Sequence, residues 1–299
     1  MPQPPSILCP VDFSEPSRGA LRYAVAIAIR FGARIIVLTV NDPLLVAAAD
    51  MSGGAGRLAA DARAELEKFF LDTLAAMPAG VAVEFTVTDG AAAAEILRLS
   101  RDGGAALIVM GSHGATGIRK LFFGSTTERV LRETSVPVLV TPAADPGPAR
   151  WEEAAARVKR VIVPVDLSDA LEGQVRTASG LGEAIGVSLL LVHVIEPVRA
   201  IVPGRQYAAG VDSERRGRAE QRLLALVDTL PPALHTEALV VFGDPAEEIA
   251  KVAHDRDAGL IVIGLHASAL LGPRMGSVTY RVISIVQARA LVLAVPPRA

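Results

Sequence analysis

Short, mostly apolar stretches alternate with longer amphipathic stretches along the chain. In the first half, the short stretches are rich in Val and Ile, a pattern typical of parallel strands buried between two layers of helices. The predicted strands are residues 7–11, 35–40, 81–87, 106–110 and 138–140.

The longer stretches between these strands predict helices at residues 17–31, 57–77, 92–101 and 126–133. Strands separated by helices of this length build a doubly wound α/β layer with right-handed crossovers. Ligands of such sheets bind beyond the carboxyl ends of the strands, where the strand order reverses. The segments that follow each strand are therefore the first places to look for a site.

The same unit occurs twice in the chain. Residues 7–43 align without gaps with residues 161–197, and residues 104–114 align in the same way with residues 257–267. Two copies, each of about 150 residues, predict tandem domains rather than a solenoid.

The junction between the copies is rich in Pro, Gly and Ala before it turns charged, which predicts a semi-stiff linker leading into a short polar helix. We place the first domain at residues 1–143, the linker at residues 144–157 and the second domain at residues 158–299.

Composition narrows the classes of protein. Of the 299 residues 51% are apolar, and the mean hydropathy is +0.40, which excludes a disordered chain. The 30 basic residues against 32 acidic ones give a net charge of −2. This balance removes the general electrostatic argument for nucleic acid as a partner.

The single cysteine, Cys9, excludes an intrachain disulfide and a cysteine-cluster metal site, and it fits a reducing compartment. Its place inside a predicted strand indicates a buried apolar role. The longest stretches without a charged residue, 103–118 and 258–273, are shorter than the roughly 20 apolar residues of a membrane span. No basic leader precedes Asp12. We therefore expect a cytoplasmic protein with neither a membrane segment nor a signal peptide.

The segment after the fourth predicted strand has the composition of a phosphate-binding loop. Its glycines, cations and hydroxyl residues are Gly111, Gly114, Gly117, Arg119, Lys120, Gly124, Ser125 and Thr126. Glycines let successive backbone N–H groups converge on an anion. Ser125 is predicted to cap the last helix, whose N-terminus stabilises phosphate. A plain turn before a capped helix is the alternative, but the position at a carboxyl strand end and the two cations favour phosphate.

These residues resemble a known family. Gly111, Gly114, Gly124 and Ser125 match the Gly-x2-Gly-x9-Gly-Ser/Thr pattern of the ATP-binding universal stress proteins, and the segments PVDFSEPS and SVPVLV are similar to that family as well. The resemblance covers essentially the whole chain as a tandem of two domains. It implies five-stranded parallel sheets in the order 3-2-1-4-5, domains that meet through their last strands, and ATP between the carboxyl ends of the first and fourth strands.

The resemblance also implies which residues form the site. Asp12 and Val40 would flank the adenine and ribose, and Pro10 would lie beside them. The residues with backbone contacts to the nucleotide would be Met110, Gly111, His113 and Gly114. The phosphates, bridged by Mg²⁺, would be held by Gly124, Ser125 and Thr126. On electrostatic grounds we add Arg119 and Lys120 as phosphate neighbours, with solvated surface charge as the alternative.

Two of these residues have a second interpretation. Asp12 could cap the turn that follows the first strand instead of binding a ligand. His113 could act as a general acid rather than through its backbone.

The second copy departs from the pattern. Asp166, Val194, Gly264, His266, Gly276 and Ser277 persist, but Ala267 replaces Gly114. The spacing from Gly264 to Gly276 is also one residue shorter, and Pro273 stiffens the loop. An added Cβ where a backbone must approach phosphate is unfavourable. We therefore predict that the second half binds ATP weakly or not at all and serves as partner and regulator of the first.

Two classes of function remain open: a regulator controlled by ATP occupancy, and a slow ATP hydrolase or a nucleotidyl- or phosphoryl-transferring enzyme. Hydrolysis requires a carboxylate or Gln that orients water at the γ-phosphate, and residues 111–127 contain no Asp, Glu or Gln. The sequence therefore favours an ATP-binding stress-response regulator. We expect an intramolecular pseudo-dimer of its two domains, with a homodimer as a further level of assembly.

Overall fold

The computed structural model describes residues 4–113, 124–168, 171–197, 205–268, 272–274, 276–286 and 290–297. The first half contains strands β1 (Ser6–Pro10), β2 (Arg34–Asn41), β3 (Val83–Asp89), β4 (Ala105–Gly111) and β5 (Val138–Thr141). Its helices are α1 (Glu15–Phe31), α2 (Pro43–Met51), α3 (Ala55–Leu74), α4 (Ala92–Asp102) and α5 (Ser125–Glu133).

Helix α6 (Trp151–Ala156) connects the halves. The strands of the second half are β6 (Arg160–Pro164), β7 (Ser188–Ile195), β8 (Glu237–Phe242), β9 (Leu260–Gly264), β10 (His266–Ser268), β11 (Gly272–Arg274) and β12 (Leu291–Val295). Its helices are α7 (Glu172–Ile185), α8 (Arg205–Val227), α9 (Pro245–Asp255) and α10 (Ser277–Val286). Among the described helices, none combines the length and the apolar character needed to cross a bilayer.

Every strand and helix predicted for the first half is confirmed, with ends that differ by at most three residues. Helix α2 is the element that the pattern missed, because its sequence PLLVAAADM has no polar stripe to mark a helical period. Local chemistry starts it all the same: the Asp42 carboxylate accepts a hydrogen bond of 2.7 Å from the Leu44 N–H, and Pro43 follows the cap.

The strands of both halves form one ten-stranded sheet in the order β3-β2-β1-β4-β5-β12-β9-β6-β7-β8. Each half therefore has the predicted order 3-2-1-4-5, and the fold class is confirmed. The last strands of the two halves, β5 and β12, pair antiparallel, with Leu139 opposite Leu293. All other pairs in this sheet are parallel.

Side chains alternate across the sheet and fill one apolar layer on each face. Leu8 and Ile108 point into the layer shared with α4 and α5, whereas Cys9 and Val37 point into the layer shared with α1 and α3. Each layer continues through the second half. Burial on both faces explains why these strands lack an alternation of polar and apolar residues.

Neighbouring strands separate at the two places where the strand order reverses. The β1–β4 pairing ends at Leu8 and Ile108, although both strands continue. The β6–β9 pairing likewise ends at Ile162 and Ile261. Each half thus has a cleft at the carboxyl end of its central strand, where doubly wound sheets bind ligands.

The connection between the halves lies against helix α1. A Cβ built on Gly19 would lie 2.2 Å from the Asp145 carbonyl oxygen, so only glycine permits this approach. The Tyr23 hydroxyl donates to Asp145 Oδ2 at 2.7 Å, and Arg157 Nη1 donates to Asp145 Oδ1 at 2.6 Å. The sequence predicted stiffness from Pro and Gly content; the structure adds direct bonds that fasten the connection to the first half.

Burial of Cys9 predicts a loss of stability at alkaline pH. Its side chain is completely buried, and desolvation raises the pKa of the thiol to about 12. Burial also raises the pKa of Tyr23, as does its bond to Asp145. The folded pKa of the thiol exceeds the unfolded value of about 8.5. The neutral thiol therefore contributes fully to the free energy of unfolding below pH 8.5, and this contribution is lost as the pH rises towards 12.

We therefore expect urea titrations at pH 7.5 and 10.5 to show that the wild type loses about 3 kcal/mol more unfolding free energy than Cys9→Ala over this interval. The variant retains Tyr23, so the loss of stability caused by ionisation of this phenol is the same in both proteins and cancels in the comparison. Equal losses in the two proteins would contradict a buried neutral thiol.

Candidate functional site

A cavity of about 480 Å³ lies over the first-half cleft. The carboxyl ends of β1, β2 and β4, the start of α5 and one side of α3 surround it, and Leu38 and Ile96 contribute apolar surface. The described residues that the sequence assigned to the site all line this cavity: Pro10, Asp12, Val40, Met110, Gly111, His113, Gly124, Ser125 and Thr126. Gly114, Arg119 and Lys120 lie outside the described residues.

The start of helix α5 corrects one prediction. The cap is Gly124, in an extended conformation with φ −60° and ψ 143°, and Ser125 is already the first helical residue. No described side chain bonds to this end of the helix. The capping residue precedes the helical backbone, and Ser125 already lies within that backbone.

This helix end therefore offers its donors to the cavity. The first hydrogen bond of the helix runs from the Glu128 N–H to the Gly124 carbonyl at 2.9 Å. The N–H groups of Ser125, Thr126 and Thr127 precede that bond, and all three residues line the cavity. Together with the positive end of the helix dipole, they can hold an anion.

Thr127 fixes this helix end to the sheet, a role that the sequence analysis missed. Its buried Oγ1 donates to the Gly111 carbonyl at 3.0 Å. In the second half, Thr279 Oγ1 lies 3.4 Å from the Gly264 carbonyl. The signal was present in the repeat, since both halves read Gly-Ser-x-Thr at this point.

Asp12 shapes the turn between β1 and α1. Its Oδ1 accepts from the Ser14 N–H at 3.2 Å and from the Ser14 hydroxyl at 2.5 Å. Phe13 between them has φ 64°, and Leu167 at the equivalent place in the second half has φ 58°. Both repeats thus keep a non-glycine residue in the left-handed region beside the cleft, where strained backbone clusters at functional sites. Asp12 is exposed and lines the cavity, so its turn-capping contact and a ligand role are compatible.

Acidic and amide groups collect at the other end of the cavity. Asn41 is the last residue of β2 and Asp42 follows it, and Asn41 Nδ2 donates to Asp89 Oδ1 at 2.8 Å. Asp61 and Glu65 of α3 also line the cavity and were not predicted. Their spacing of four residues, beside the apolar stripe of Leu58, Ala62 and Leu66, is the signal that could have found them.

The two ends of the cavity therefore differ: one offers hydrogen-bond donors and the other offers acceptors. Strand β1 lies between β2 and β4, so the acceptors after β2 and on α3 stand opposite the donors at the start of α5. A ligand with a donor-bearing head and an anionic tail matches this arrangement.

The described groups near the anion-holding end are weak candidates for catalysis. His113 Nδ1 lies 3.1 Å from the Ser112 hydroxyl. Glu128, the first carboxylate after the loop, is paired with Arg132 Nη2 at 2.6 Å along the helix. The general-acid interpretation of His113 stays a prediction.

The second half has a smaller cavity, of about 330 Å³, at the equivalent cleft. Asp166, Val194 and Gly264 line it. His266 and Ala267 belong to β10, which pairs antiparallel with β11, the strand that contains Pro273. The weak binding of ATP predicted for this half stays a prediction.

Comparison with known proteins places the chain in a family. The profile of the universal stress protein family matches residues 5–142 and, a second time, residues 157–294. A universal stress protein of Methanocaldococcus jannaschii is 29% identical over 152 aligned residues, which cover 45% of this chain and 92% of that protein. One from Mycolicibacterium smegmatis is 27% identical over 304 aligned residues, covering 98% of this chain and 97% of that protein.

The solved structure of a universal stress protein from Archaeoglobus fulgidus shares the fold, with a TM-score of 0.64 and 20% identity over 97% of this chain and 98% of that chain. Because the two profile matches together span most of the sequence, this chain belongs to the universal stress protein family, as a tandem of two of its domains.

Proposed function

We propose that this protein is a regulatory ATP-binding protein whose first-half cavity holds the nucleotide. The observation that carries the proposal is the start of α5, where three residues whose N–H groups precede the first helical hydrogen bond line a cavity that is also lined by acceptors after β1 and β2. The triphosphate would lie at the helix N-terminus. The amino group of adenine and the ribose hydroxyls would donate to the acceptors after β1 and β2.

The charges around the cavity fit ATP only together with a cation. Its described lining contains the carboxylates of Asp12, Asp42, Asp61 and Glu65 and no Lys or Arg. Mg²⁺ prefers oxygen ligands and is usually held by phosphates with one or two carboxylates. Bound Mg²⁺ would neutralise part of the triphosphate charge, and Arg119 and Lys120 remain proposed phosphate neighbours.

We propose a regulatory role because helix α5 of the first half contacts both the nucleotide cavity and the second half. Its N-terminus faces the nucleotide cavity, and strand β11 of the second half lies against the same helix. A nucleotide that orders the start of α5 would favour one arrangement of this contact. In the proposal, residues 144–157 separate the domains, the domains form a pseudo-dimer through β5 and β12, and a homodimer of the chain is a further level of assembly in the cytoplasm.

A slow ATP hydrolase is the second candidate, and the observation in its favour is His113, a potential general acid that lines the cavity on the side of β4 and α5. Turnover distinguishes the candidates. We expect kcat with Mg²⁺ to fall far below the median enzyme value of about 10 s⁻¹. A value near that median, lost in the variant His113→Ala while ATP binding persists, would establish the enzyme instead.

ATP binding itself is tested on the full chain by calorimetric titration with and without Mg²⁺. We expect one ATP per chain and stronger binding with Mg²⁺. At an ATP concentration of about 100 times Kd, the free energy of unfolding should rise by about 2.7 kcal/mol. Absence of heat and of stabilisation at millimolar ATP would reject the proposal.

A further inference from the structure

A third cavity, of about 290 Å³, lies where the two halves meet. Its floor is formed by five neighbouring strands, β1, β4, β5, β12 and β9. The floor includes Leu139 and Leu293, which stand opposite each other in the β5–β12 pairing. None of the described residues that line this cavity also lines either of the two cleft cavities. It is therefore a separate feature of the molecule.

The walls of this interdomain cavity come from equivalent helices of the repeat. Each wall is a stripe of three residues spaced by four, at aligned positions of α1 and α7: Tyr23, Ile27 and Phe31, and Thr177, Leu181 and Ile185. Helix α6 of the connection lies against α1, and its Trp151 ring meets the Phe31 ring edge to face with centroids 5.5 Å apart. The connection thus covers the α1 stripe and leaves a space between itself and the α7 stripe.

The lining of the interdomain cavity offers neither a charge nor a free hydroxyl. Its described residues include no Asp, Glu, Lys, Arg or His. The Tyr23 hydroxyl donates to Asp145 Oδ2 at 2.7 Å, and the Thr177 hydroxyl donates to the Gly173 carbonyl at 2.8 Å. A charged ligand would lose its hydration here without gaining a partner. The cavity therefore favours an uncharged, apolar ligand.

The depth of the cavity favours a small molecule over a second copy of the chain. Leu139 and Leu293 of the floor are only 6% and 5% exposed, although they border empty space. The surface of another folded chain would meet the rim formed by the helices, whereas a small molecule can pass between them. The cavity also continues the contact between the halves, so its ligand would touch both.

The size and the aromatic wall indicate the class of ligand. An apolar cavity of about 150 Å³ binds one benzene ring, so about 290 Å³ corresponds to about two rings. Tyr23, Phe31 and Trp151 form an aromatic side, and aromatic rings attract one another edge to face or offset. Leu181 and Ile185 form an aliphatic side that can cover the other face of a flat molecule.

We propose that the interdomain cavity is a binding site for an uncharged aromatic molecule with a core of about two fused rings. The ligand lies on Leu139 and Leu293, between the aromatic wall and α7. Burial of apolar surface drives its binding. Because floor and walls come from both halves, the ligand stabilises the pairing of β5 with β12. The site does not require that the first half bind ATP.

The test uses the full chain and the fluorescence of Trp151. This residue is the only tryptophan in the sequence and lines the cavity, so it reports on this site. The probe is N-phenyl-1-naphthylamine, an uncharged naphthalene derivative that accepts energy from excited tryptophan. We expect one probe per chain, probe emission sensitised by Trp151, and the same affinity with and without saturating Mg²⁺–ATP. The anionic analogue 8-anilinonaphthalene-1-sulfonate, which adds a sulfonate, should bind at least about tenfold more weakly.

Two variants change the cavity itself. Ala155→Leu extends a lining side chain of α6, and Leu181→Gln adds an amide to the α7 wall. Each should weaken probe binding at least about tenfold. The matched controls are Ala156→Leu, at the next and exposed position of α6, and Leu224→Gln, at a position of α8 that is 57% exposed. Both controls should bind the probe like the wild type, and urea unfolding checks that all four variants fold.

Three outcomes would overturn the inference: no sensitised emission from the wild type, equal affinity for the sulfonate analogue, or wild-type affinity in both folded cavity variants. Probe binding that falls in step with dimer formation as the protein concentration rises would also overturn it, because a second copy would then cover the cavity. The proposed function fails separately, through the absence of ATP binding. In that case, probe binding that still depends on Ala155 and Leu181 would support this site.

Discussion

Gly111→Val is expected to lower the affinity of the full chain for ATP by about 10- to 100-fold. Overpacking costs about 1–3 kcal/mol, and the loss of this free energy from binding corresponds to that change in affinity. Gly111 ends β4 at the floor of the first-half cavity and is buried.

The cost arises from three atoms around Gly111. A Cβ there would lie 3.0 Å from Pro16 Cβ, 3.1 Å from the Pro16 carbonyl oxygen and 3.2 Å from the His113 carbonyl oxygen. Two of these atoms belong to the backbone, so relief requires the first turn of α1 or the segment after β4 to move. Both contribute residues to the proposed nucleotide site, and displacement of about 1 Å is sufficient to impair a positioned ligand.

The measurement is calorimetric titration with Mg²⁺–ATP, paired with urea unfolding. The control is Gly56→Ala in the first turn of α3, where an added Cβ meets no atom within 4 Å; it should bind ATP like the wild type. ATP affinity in folded Gly111→Val equal to that of Gly56→Ala would place the nucleotide elsewhere.

The second large effect concerns stability. Gly19→Val is expected to reduce the free energy of unfolding by about 2–4 kcal/mol. The new Cβ would meet the Asp145 carbonyl at 2.2 Å, and a backbone atom cannot rotate away as a side chain can. The connection would have to leave α1, which also breaks the bonds from Tyr23 and Arg157 to Asp145.

Gly180→Val provides the matched control, because Gly180 is also helical but a Cβ there meets no atom within 4 Å. Glycine and valine differ little in helix propensity, so this variant should unfold like the wild type. Urea unfolding of the wild type, Gly19→Val and Gly180→Val measures whether the loss of stability depends on the contact with Asp145. Equal stability of Gly19→Val and Gly180→Val would show that the connection is not fastened to α1 in solution.

The sequence by itself determined the strands and most of the helices of the first half, the repeat, and the position of the segment proposed to bind phosphate. These features are local: burial of a strand on both faces leaves an apolar run such as residues 35–40, and an amphipathic helix leaves a stripe such as Leu58, Ala62 and Leu66. The family pattern added the strand order and the residues around Asp12 and Gly111, which the fold brings to one cavity.

Only the tertiary structure decided the features that depend on residues far apart in the chain. In the sequence, Asp61 and Glu65 are indistinguishable from the polar edge of any amphipathic helix. The structure shows that α3 lies over the cleft and that both residues line the cavity. In the sequence, Gly19 is only a residue of low helix propensity. The structure shows that it permits the close approach of Asp145 to α1. Gln174 donates hydrogen bonds to carbonyl groups that lie 10 and 88 residues away in the chain. The physical reason is the same in each case: a periodic pattern records which face of an element is buried, whereas the partner of a single polar group or glycine is set by how the elements pack.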